Sequence, residues 1–386
     1  MMNDKLTVKI DKIVSGGYGF TIHNENAVFI PFVLPGETVE VEIYRRRGVY
    51  FGKILEILES SPIRKEAFCP LFGNCGGCQF QMTDYENQLQ IKKEIIEESL
   101  RRIGKIEIPV NPIIASDNTI HYRNKGSFQV FGREESFIGF CYPGTTKPFA
   151  IQECPLMEHP INEKIRDFLD NPSERLKLKG MKALVIRSNG EGQTINSTIK
   201  KDSFFDRVAD LDFMIDADTF FQINRTIIPK WLEYIKKLIV SHKVGKGLLD
   251  LYSGVGIIGQ FLSPLFEKVV GLEVNKRLVE NGNKVLERNH IQNASFIAAD
   301  ASRFYEYGFL YDTVIINPPR AGISPEMTAT LIQAAPQVII YSSCNPDTFS
   351  RDIKELGNGG YKIDEIQPFD MFPQTQHTEV VGVLYR

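Results

Sequence analysis

Long apolar runs are missing from this 386-residue sequence. None approaches the roughly 18–20 residues needed to cross a bilayer, so a helical membrane protein is excluded. The opening stretch, MMNDKLTVKI, has no apolar leader core, and a cytoplasmic protein without a signal peptide is expected. Cysteine is scarce: six residues in a chain of this length do not make a disulfide scaffold. An excess of either charge is also missing, with 45 Lys and Arg against 48 Asp and Glu, so no global field announces a polyanion binder. Basic residues cluster only locally, in Arg45-Arg46-Arg47, in Lys92-Lys93 and in Arg101-Arg102. Such runs are ordinarily solvated faces. Internal repeats and low-complexity segments are absent too.

What is present is the mix of a soluble globular protein, 42% hydrophobic and 24% charged, long enough for two or three domains. Residues 5–60 alternate as short strands between glycine turns at Gly16-Gly17, Pro35-Gly36 and Gly48, which predicts a small closed β-barrel. Residues 61–83 are loop-like and hold Cys69, Cys75 and Cys78. Residues 84–103 carry Leu89, Ile95, Ile96, Leu100 and Ile103 at helical spacing. Residues 104–215 return to a β-rich pattern. From about residue 216 the chain passes into strand–helix alternation, through GLLDLY, VVGLEV, ASFIAA, DTVIINPP and QVIIYSS, with a helix expected over 275–289. That alternation predicts a parallel sheet covered by helices, and the last two strands, KIDEIQPF and TEVVGVLYR, should add an antiparallel hairpin at one edge.

In LLDLYSGVG an apolar strand enters a glycine turn at Gly254 and Gly256 and then a helix, a geometry that lets backbone approach a ligand. The next strand ends at Glu273, placed to accept from ribose hydroxyls, and the one after at Asp300, placed near an adenine amino group. Gly254, Gly256 and Gly259 also satisfy a dinucleotide fingerprint, so an NAD site remains the alternative at this point. Asp250 and the downstream Asn317-Pro318-Pro319 resemble a class I S-adenosylmethionine methyltransferase domain instead.

Asn317-Pro318-Pro319-Arg320 follows the fourth strand, and Ser342-Ser343-Cys344-Asn345-Pro346 ends the fifth. Ligands of open α/β sheets bind at the carboxyl ends of strands, so both loops should line the active site. A cysteine there is a candidate nucleophile, against the ordinary alternative of a small buried thiol. A methyltransferase gains from a thiolate when the acceptor is C5 of uracil, which is too weak a nucleophile unless a thiolate first adds to C6. A base must then remove the C5 proton, and Glu379 is the candidate.

SSCNPDT, DMFPQTQHTEVV, FFQIN at 220–224 and NPPR together resemble the uracil-5 RNA methyltransferase family over nearly the whole chain. The resemblance implies Cys344 as nucleophile and Glu379 as base. It implies Gln222, Tyr252, Glu273 and Asn317 as cofactor contacts beside Gly254, Gly256 and Asp300; the family usually has Asp where this chain has Asn317. Cys69-x5-Cys75-Gly-Gly-Cys78 offers three soft ligands for iron–sulfur or zinc, with Cys141 or Cys154 as the fourth. The branch of the family that binds rRNA has this pattern followed by a distant Cys-Pro, which implies Cys154 and a [4Fe–4S] cluster. The same branch carries an RNA-binding TRAM domain, which residues 1–60 resemble. The expectation is therefore three parts: a TRAM-like barrel (1–60), a central β-rich iron–sulfur domain (61–83 and 104–215) and a Rossmann-like methyltransferase domain (84–103 and 216–386). The expected partner is RNA, 23S rRNA before tRNA, and the enzyme should act as a monomer; methylation of an exocyclic amino group, which Asn-Pro-Pro also suits, is the further alternative, against which stand Arg320 in place of an aromatic residue and the presence of Cys344.

Overall fold

The computed structural model describes residues 5–132, 135–200, 202–242, 245–308 and 311–386. Six strands, Lys5–Lys9, Lys12–Val14, Tyr18–His23, Asn26–Pro31, Thr38–Arg46 and Val49–Glu59, form the N-terminal sheet. Its two edges are one run of chain: Lys5–Lys9 pairs with Thr38–Arg46, and Lys12–Val14 pairs with Tyr18–His23. The sheet therefore closes on itself. Alternation decides which side chains point inward, and Val8, Val28, Ile30, Val39 and Val41 fill the interior. The buried Glu37 carboxylate accepts from Leu34 N and Ser61 N and pairs with Arg64, which ties this unit to the cysteine-bearing loop that follows.

The helix expected over 84–103 is α-helical from Tyr85 to Ser99 and then widens into a π turn, Leu100–Gly104. It packs on the helix Pro346–Asn358 and on the strand Lys12–Val14. Lys92, on its buried face, meets Asp370 at 2.6 Å, with both side chains out of solvent. A buried charge left alone would be costly, so each ion holds the other in place.

The central β-rich part is a five-stranded sheet in the order Thr194–Asn196, Ala183–Ser188, Lys125–Phe131, Phe137–Cys141, Pro148–Ala150. The amphipathic helix His159–Asp170 covers it with Ile161, Ile165 and Phe168. The hairpin of Ser203–Val208 and Leu211–Asp216 packs elsewhere: Phe204, Val208, Phe213 and Ile215 join Trp231, Leu232 and Leu248 in the core of the C-terminal sheet.

That C-terminal sheet has seven strands, in the order Ala294–Ala298, Lys268–Glu273, Gly247–Leu251, Thr313–Ile316, Val338–Ser343, Glu379–Tyr385, Lys362–Phe369. The first five are parallel, and the last two form an antiparallel hairpin at the edge. Strands buried on both faces read as continuous apolar runs, as in VVGLE and VIIYSS. Helices on both faces complete the doubly wound architecture expected from the strand–helix alternation. The helix expected over 275–289 spans Lys276–Lys284. No helix among the described residues is long and apolar enough to cross a membrane.

Candidate active site and cysteine cavity

The carboxyl ends of four neighbouring parallel strands gather the residues expected to bind a cofactor. The strand Gly247–Leu251 leads into Tyr252, Gly254 and Gly256, and Lys268–Glu273 ends on Glu273. Ala294–Ala298 leads to Asp300, and Thr313–Ile316 leads to Asn317. The glycine turn is fixed from three sides. Glu273 accepts from Gly254 N at 3.1 Å, Asp250 accepts from Gly259 N at 3.1 Å, and Gly256 N donates to Ser253 O. Gly256 has φ +79, and a Cβ there would lie 2.0 Å from the Phe296 ring, so no other residue fits. Gly254, at φ +58, faces open space within 4 Å, which leaves a cradle in front of the turn. Asp300 caps the turn that follows it by accepting from Ser302 N at 2.9 Å. Gln222 is buried in the loop after the hairpin, and its carbonyl accepts from Asn124. Two residues on, Asn224 donates to Met371 O at 3.3 Å, so this loop touches the segment that carries Glu379.

Cys344 and Glu379 meet on adjacent antiparallel strands. The first of these strands ends on Ser343, paired with Val380; Cys344 follows Ser343 and Glu379 precedes Val380, close enough that the carboxylate acts on the thiol. Glu379 is buried, and its Oε1 accepts from Ser342 Oγ at 2.5 Å. Ser342 in turn accepts from Trp231 Nε1 at 3.1 Å, so a chain of two hydrogen bonds aims the carboxylate. Burial pushes Glu379 up to about 7, against the pull of the Ser342 bond. Burial also pushes the Cys344 thiol up to about 11; the Glu379 charge adds to the rise and Arg320 opposes it. Both groups thus sit where a proton or a bound ligand decides their state.

The cleft above Cys344 has a volume of about 410 Å³. Arg320, Gln376 and His377 line it with Cys344, together with Arg102 and, from the N-terminal unit, Phe29 and the Val14–Gly16 turn. Arg320 Nη2 lies 3.1 Å from His377 Nε2. Burial drives His377 down to about 3, helped by Arg320, Lys92 and Arg123, so the imidazole is neutral at ordinary pH. The NPPR loop is held by Asn345 Nδ2 and Thr348 Oγ1, which both donate to Arg320 O.

The segment 370–379 is fastened along its length. Lys92 holds Asp370, Tyr122 OH donates to Pro373 O at 3.0 Å, and Gln88 and Gln374 pair their amides. Gln374 has φ +69, a left-handed conformation that a non-glycine residue keeps only when its surroundings impose it. Part of that imposition comes from the cysteine loop: Gln79 N and Phe80 N both donate to Gln374 O, and Gln376 N donates to Gln79 Oε1.

Cys69, Cys75, Cys78 and Cys154 line one small cavity of about 70 Å³ together with Arg123. Cys141 does not line it; its carbonyl accepts from Gly76 N at the outside of the loop. All six cysteines are free thiols. Burial pushes Cys78 up to about 12 and raises Cys75 and Cys154 as well, and the neighbouring sulfurs add to each rise. Arg123 Nε is buried in this region without a hydrogen-bond partner. Among the described residues no group of three or more His, Cys, Asp or Glu is placed so that it could hold a metal ion.

Sequence reasoning missed His377, Gln376, Arg102 and the barrel turn as parts of the cleft. His377 stands in a quoted motif and Arg102 in a basic run, but only the fold shows that they face Cys344.

The family described as tRNA (Uracil-5-)-methyltransferase matches residues 155–386. A protein of Aquifex aeolicus described as an uncharacterized RNA methyltransferase is 32% identical, over 99% of both chains. A tRNA (uracil(54)-C(5))-methyltransferase of Schizosaccharomyces pombe is 30% identical, over 98% of this chain and 78% of its own. The crystal structure of Pyrococcus abyssi tRNA (uracil-54, C5)-methyltransferase in complex with S-adenosyl-L-homocysteine superposes with a TM-score of 0.77 at 26% identity, over 98% of this chain and all of that one.

Proposed function

Because the chain belongs to the tRNA (uracil-5-)-methyltransferase family, an RNA methyltransferase family with S-adenosylmethionine as methyl donor, we propose that it methylates C5 of a uridine through a covalent bond to Cys344. The observation that carries this reading is the nearness of the buried Glu379 to Cys344, which lines the cleft. The Cys344 thiolate adds to C6 of a uracil flipped out of its strand, and the π electrons of C5–C6 move onto the C4 carbonyl. C5 then takes the methyl group, the sulfonium–methyl bond breaks, and S-adenosylhomocysteine leaves. Glu379 removes the C5 proton, the C5–C6 double bond re-forms, and the Cys344 sulfur departs. Arg320 favours the thiolate in the first step, and neutral His377 accepts a hydrogen bond from Arg320 and holds it there.

For the methyl donor, Gly254 and Gly256 supply the open turn, Glu273 and Asp300 take the ribose and adenine ends, and Tyr252, Gln222 and Asn317 complete the contacts. The cradle in front of Gly254 is the feature of this chain that fits the group. The proposed working unit is a monomer.

Cys69, Cys75, Cys78 and Cys154 are proposed to hold a [4Fe–4S] cluster. The fit rests on the four-thiol cavity and on the unpartnered Arg123 Nε, a donor suited to the negative charge of a thiolate cluster. In a cubane each thiolate binds a different iron, so the sulfurs surround a volume rather than meet at a point, as a single tetrahedral zinc would require. When bound, the cluster would cross-link the loop before the helix Tyr85–Ser99 to the central sheet, and methyl transfer needs no electron from it.

The closed N-terminal sheet is proposed as a TRAM-like RNA-binding module. The cysteine pattern and this module favour 23S rRNA as the substrate. A tRNA, methylated at uridine 54, is the second reading, and the relatives of Schizosaccharomyces pombe and Pyrococcus abyssi favour it, since each aligns with 98% of this chain, barrel included. Mass mapping of rRNA and tRNA from a strain lacking the gene decides: one 5-methyluridine missing from either RNA identifies the substrate, and none missing from both refutes the proposed reaction.

A further inference from the structure

The basic run Arg101-Arg102 looks like a solvated face in the sequence, and the structure splits it. The helix Tyr85–Ser99 widens into the π turn Leu100–Gly104, and an extra residue in a turn rotates the side chains that follow. Arg101 bends back to pair with Glu98, a residue that also takes Lys12 of the N-terminal unit at 2.6 Å. Arg102 turns the other way and lines the Cys344 cleft. Among the described residues Arg102 has no hydrogen-bond or ion-pair partner.

The cleft is short of negative charge on every side. Arg320 faces a neutral imidazole rather than a carboxylate. The one acidic residue of the lining, Asp347, takes a hydrogen bond from Ser99 Oγ at 2.6 Å. The barrel contributes Val14, Ser15, Gly16 and Phe29, with no charge at all. Two guanidiniums without carboxylate partners among the described residues thus line one cleft of about 410 Å³. A base turned in toward Cys344 leaves its sugar–phosphate backbone at the mouth, between the barrel turn and the π turn.

We propose that Arg102 binds a phosphodiester of the substrate RNA next to the target uridine, and so sets the strand between the barrel and the methyl-transfer cleft. The inference rests on the reading that Cys344 meets a flipped uridine. A guanidinium offers paired donors that match two phosphate oxygens, whereas a lysine would supply only a point charge. Arg102 is then a positioning residue. It acts on where the strand lies and leaves the bond-making steps to Cys344 and Glu379.

The test compares Arg102→Gln with Arg101→Gln, two neighbouring substitutions of equal charge. Binding is measured across a salt series with the unmodified transcript that wild type methylates, and with oligouridylate as a single-strand probe. Arg102→Gln should weaken binding about tenfold and flatten the slope of log K against log salt by roughly one, the signature of one lost phosphate contact. Its kcat at saturating RNA should stay within about twofold of wild type, as expected when only uniform binding is lost. Arg101→Gln should leave both Kd and slope unchanged. Equal weakening by the two variants would reduce the effect to general charge and overturn the proposal. An unchanged slope for Arg102→Gln would overturn it, and so would a raised KM for S-adenosylmethionine at unchanged RNA affinity, which would assign Arg102 to the cofactor carboxylate. If wild type forms no 5-methyluridine, the proposed reaction itself fails, and the oligouridylate slopes still judge Arg102.

Discussion

Two cavities of this protein bury cysteine, and burial alone treats them alike: it pushes Cys344 up to about 11 and Cys78 up to about 12. Their neighbours set them apart. Around Cys344 there is no second thiol, but a carboxylate, a guanidinium and a cleft large enough to admit a nucleotide. Around Cys78 stand three more thiols, mainly apolar side chains, the Gln81 amide, Glu153 and one guanidinium, in a volume several times smaller. A lone thiol beside a carboxylate suits the proposed making and breaking of a bond, whereas four thiols lining one small cavity suit the proposed cluster. The two sites also touch. Gln79, the residue after Cys78, and Phe80 donate to Gln374 O, and Gln376 N donates to Gln79, three residues before Glu379. The cysteine loop is therefore part of the scaffold of the segment that carries Glu379.

The sharpest way to break this comparison is to remove each thiol in turn. Cys344→Ala should lower methyl transfer at least about a thousandfold, roughly 4 kcal/mol of lost transition-state stabilisation, with metal content unchanged. Radiolabel transfer from S-adenosylmethionine and iron analysis on the same preparation check both halves. Cys154→Ser should instead release most of about four irons per chain and bleach the brown colour of protein purified without oxygen. Cys141→Ser, outside the cavity, should keep them. A colourless wild type holding one zinc would refute the cluster.

Glu379→Gln should slow release of the enzyme from its product by about 10²–10⁴-fold, the usual weight of a general base, and methylated RNA should remain attached to the protein. The pH dependence has a definite sign. Glu379 titrates near 7, and its protonated form cannot accept the C5 proton, so release slows as pH falls below 7. Cys344 titrates near 11, so the thiolate fraction and the rate of addition rise with pH through the whole range from 6 to 9. Quench-flow at pH 6 should show more attached RNA per methyl transferred than at pH 8. A ratio independent of pH would remove Glu379 from the release step.

The smallest expected effect belongs to Asn317. Its side chain has no hydrogen-bond partner among the described residues, and it can accept from uracil N3–H while donating to O4. Aspartate can only accept, which suits N3–H and repels the N3 acceptor of cytosine. Asn317→Asp should therefore shift the uridine-to-cytidine ratio of kcat/KM by about tenfold, or roughly 1.4 kcal/mol. An unchanged ratio with an altered KM for the cofactor would assign Asn317 to the cofactor alone.

Much of the C-terminal sheet was legible because glycine spacing, strand ends and apolar runs are local signals. Gly254 and Gly256 announce their turn, and Cys344 announces itself by closing a strand before Asn-Pro. The cleft as a whole was not legible, because its walls come from residues 14–16, 102, 320 and 377, which only tertiary packing brings together. Lys92 shows the same limit. In the sequence it belongs to a basic run, yet it is buried on Asp370, 278 residues away. Arg101 and Arg102 are indistinguishable by composition and are parted by one wide turn. Spacing alone left Cys141 and Cys154 equal, and only tertiary packing shows that Cys154 and not Cys141 lines the cavity of the three loop cysteines.

The most direct test of the account is to trap the covalent step and locate it. Wild-type enzyme, S-adenosylmethionine and RNA carrying 5-fluorouridine at the target should give a complex that survives denaturation, because fluorine at C5 cannot be removed as a proton. After nuclease and protease digestion, mass spectrometry should find a methylated fluorouridine on the peptide containing Cys344. A stable adduct on any other residue, or full methylation of unsubstituted RNA by Cys344→Ala, would contradict the account.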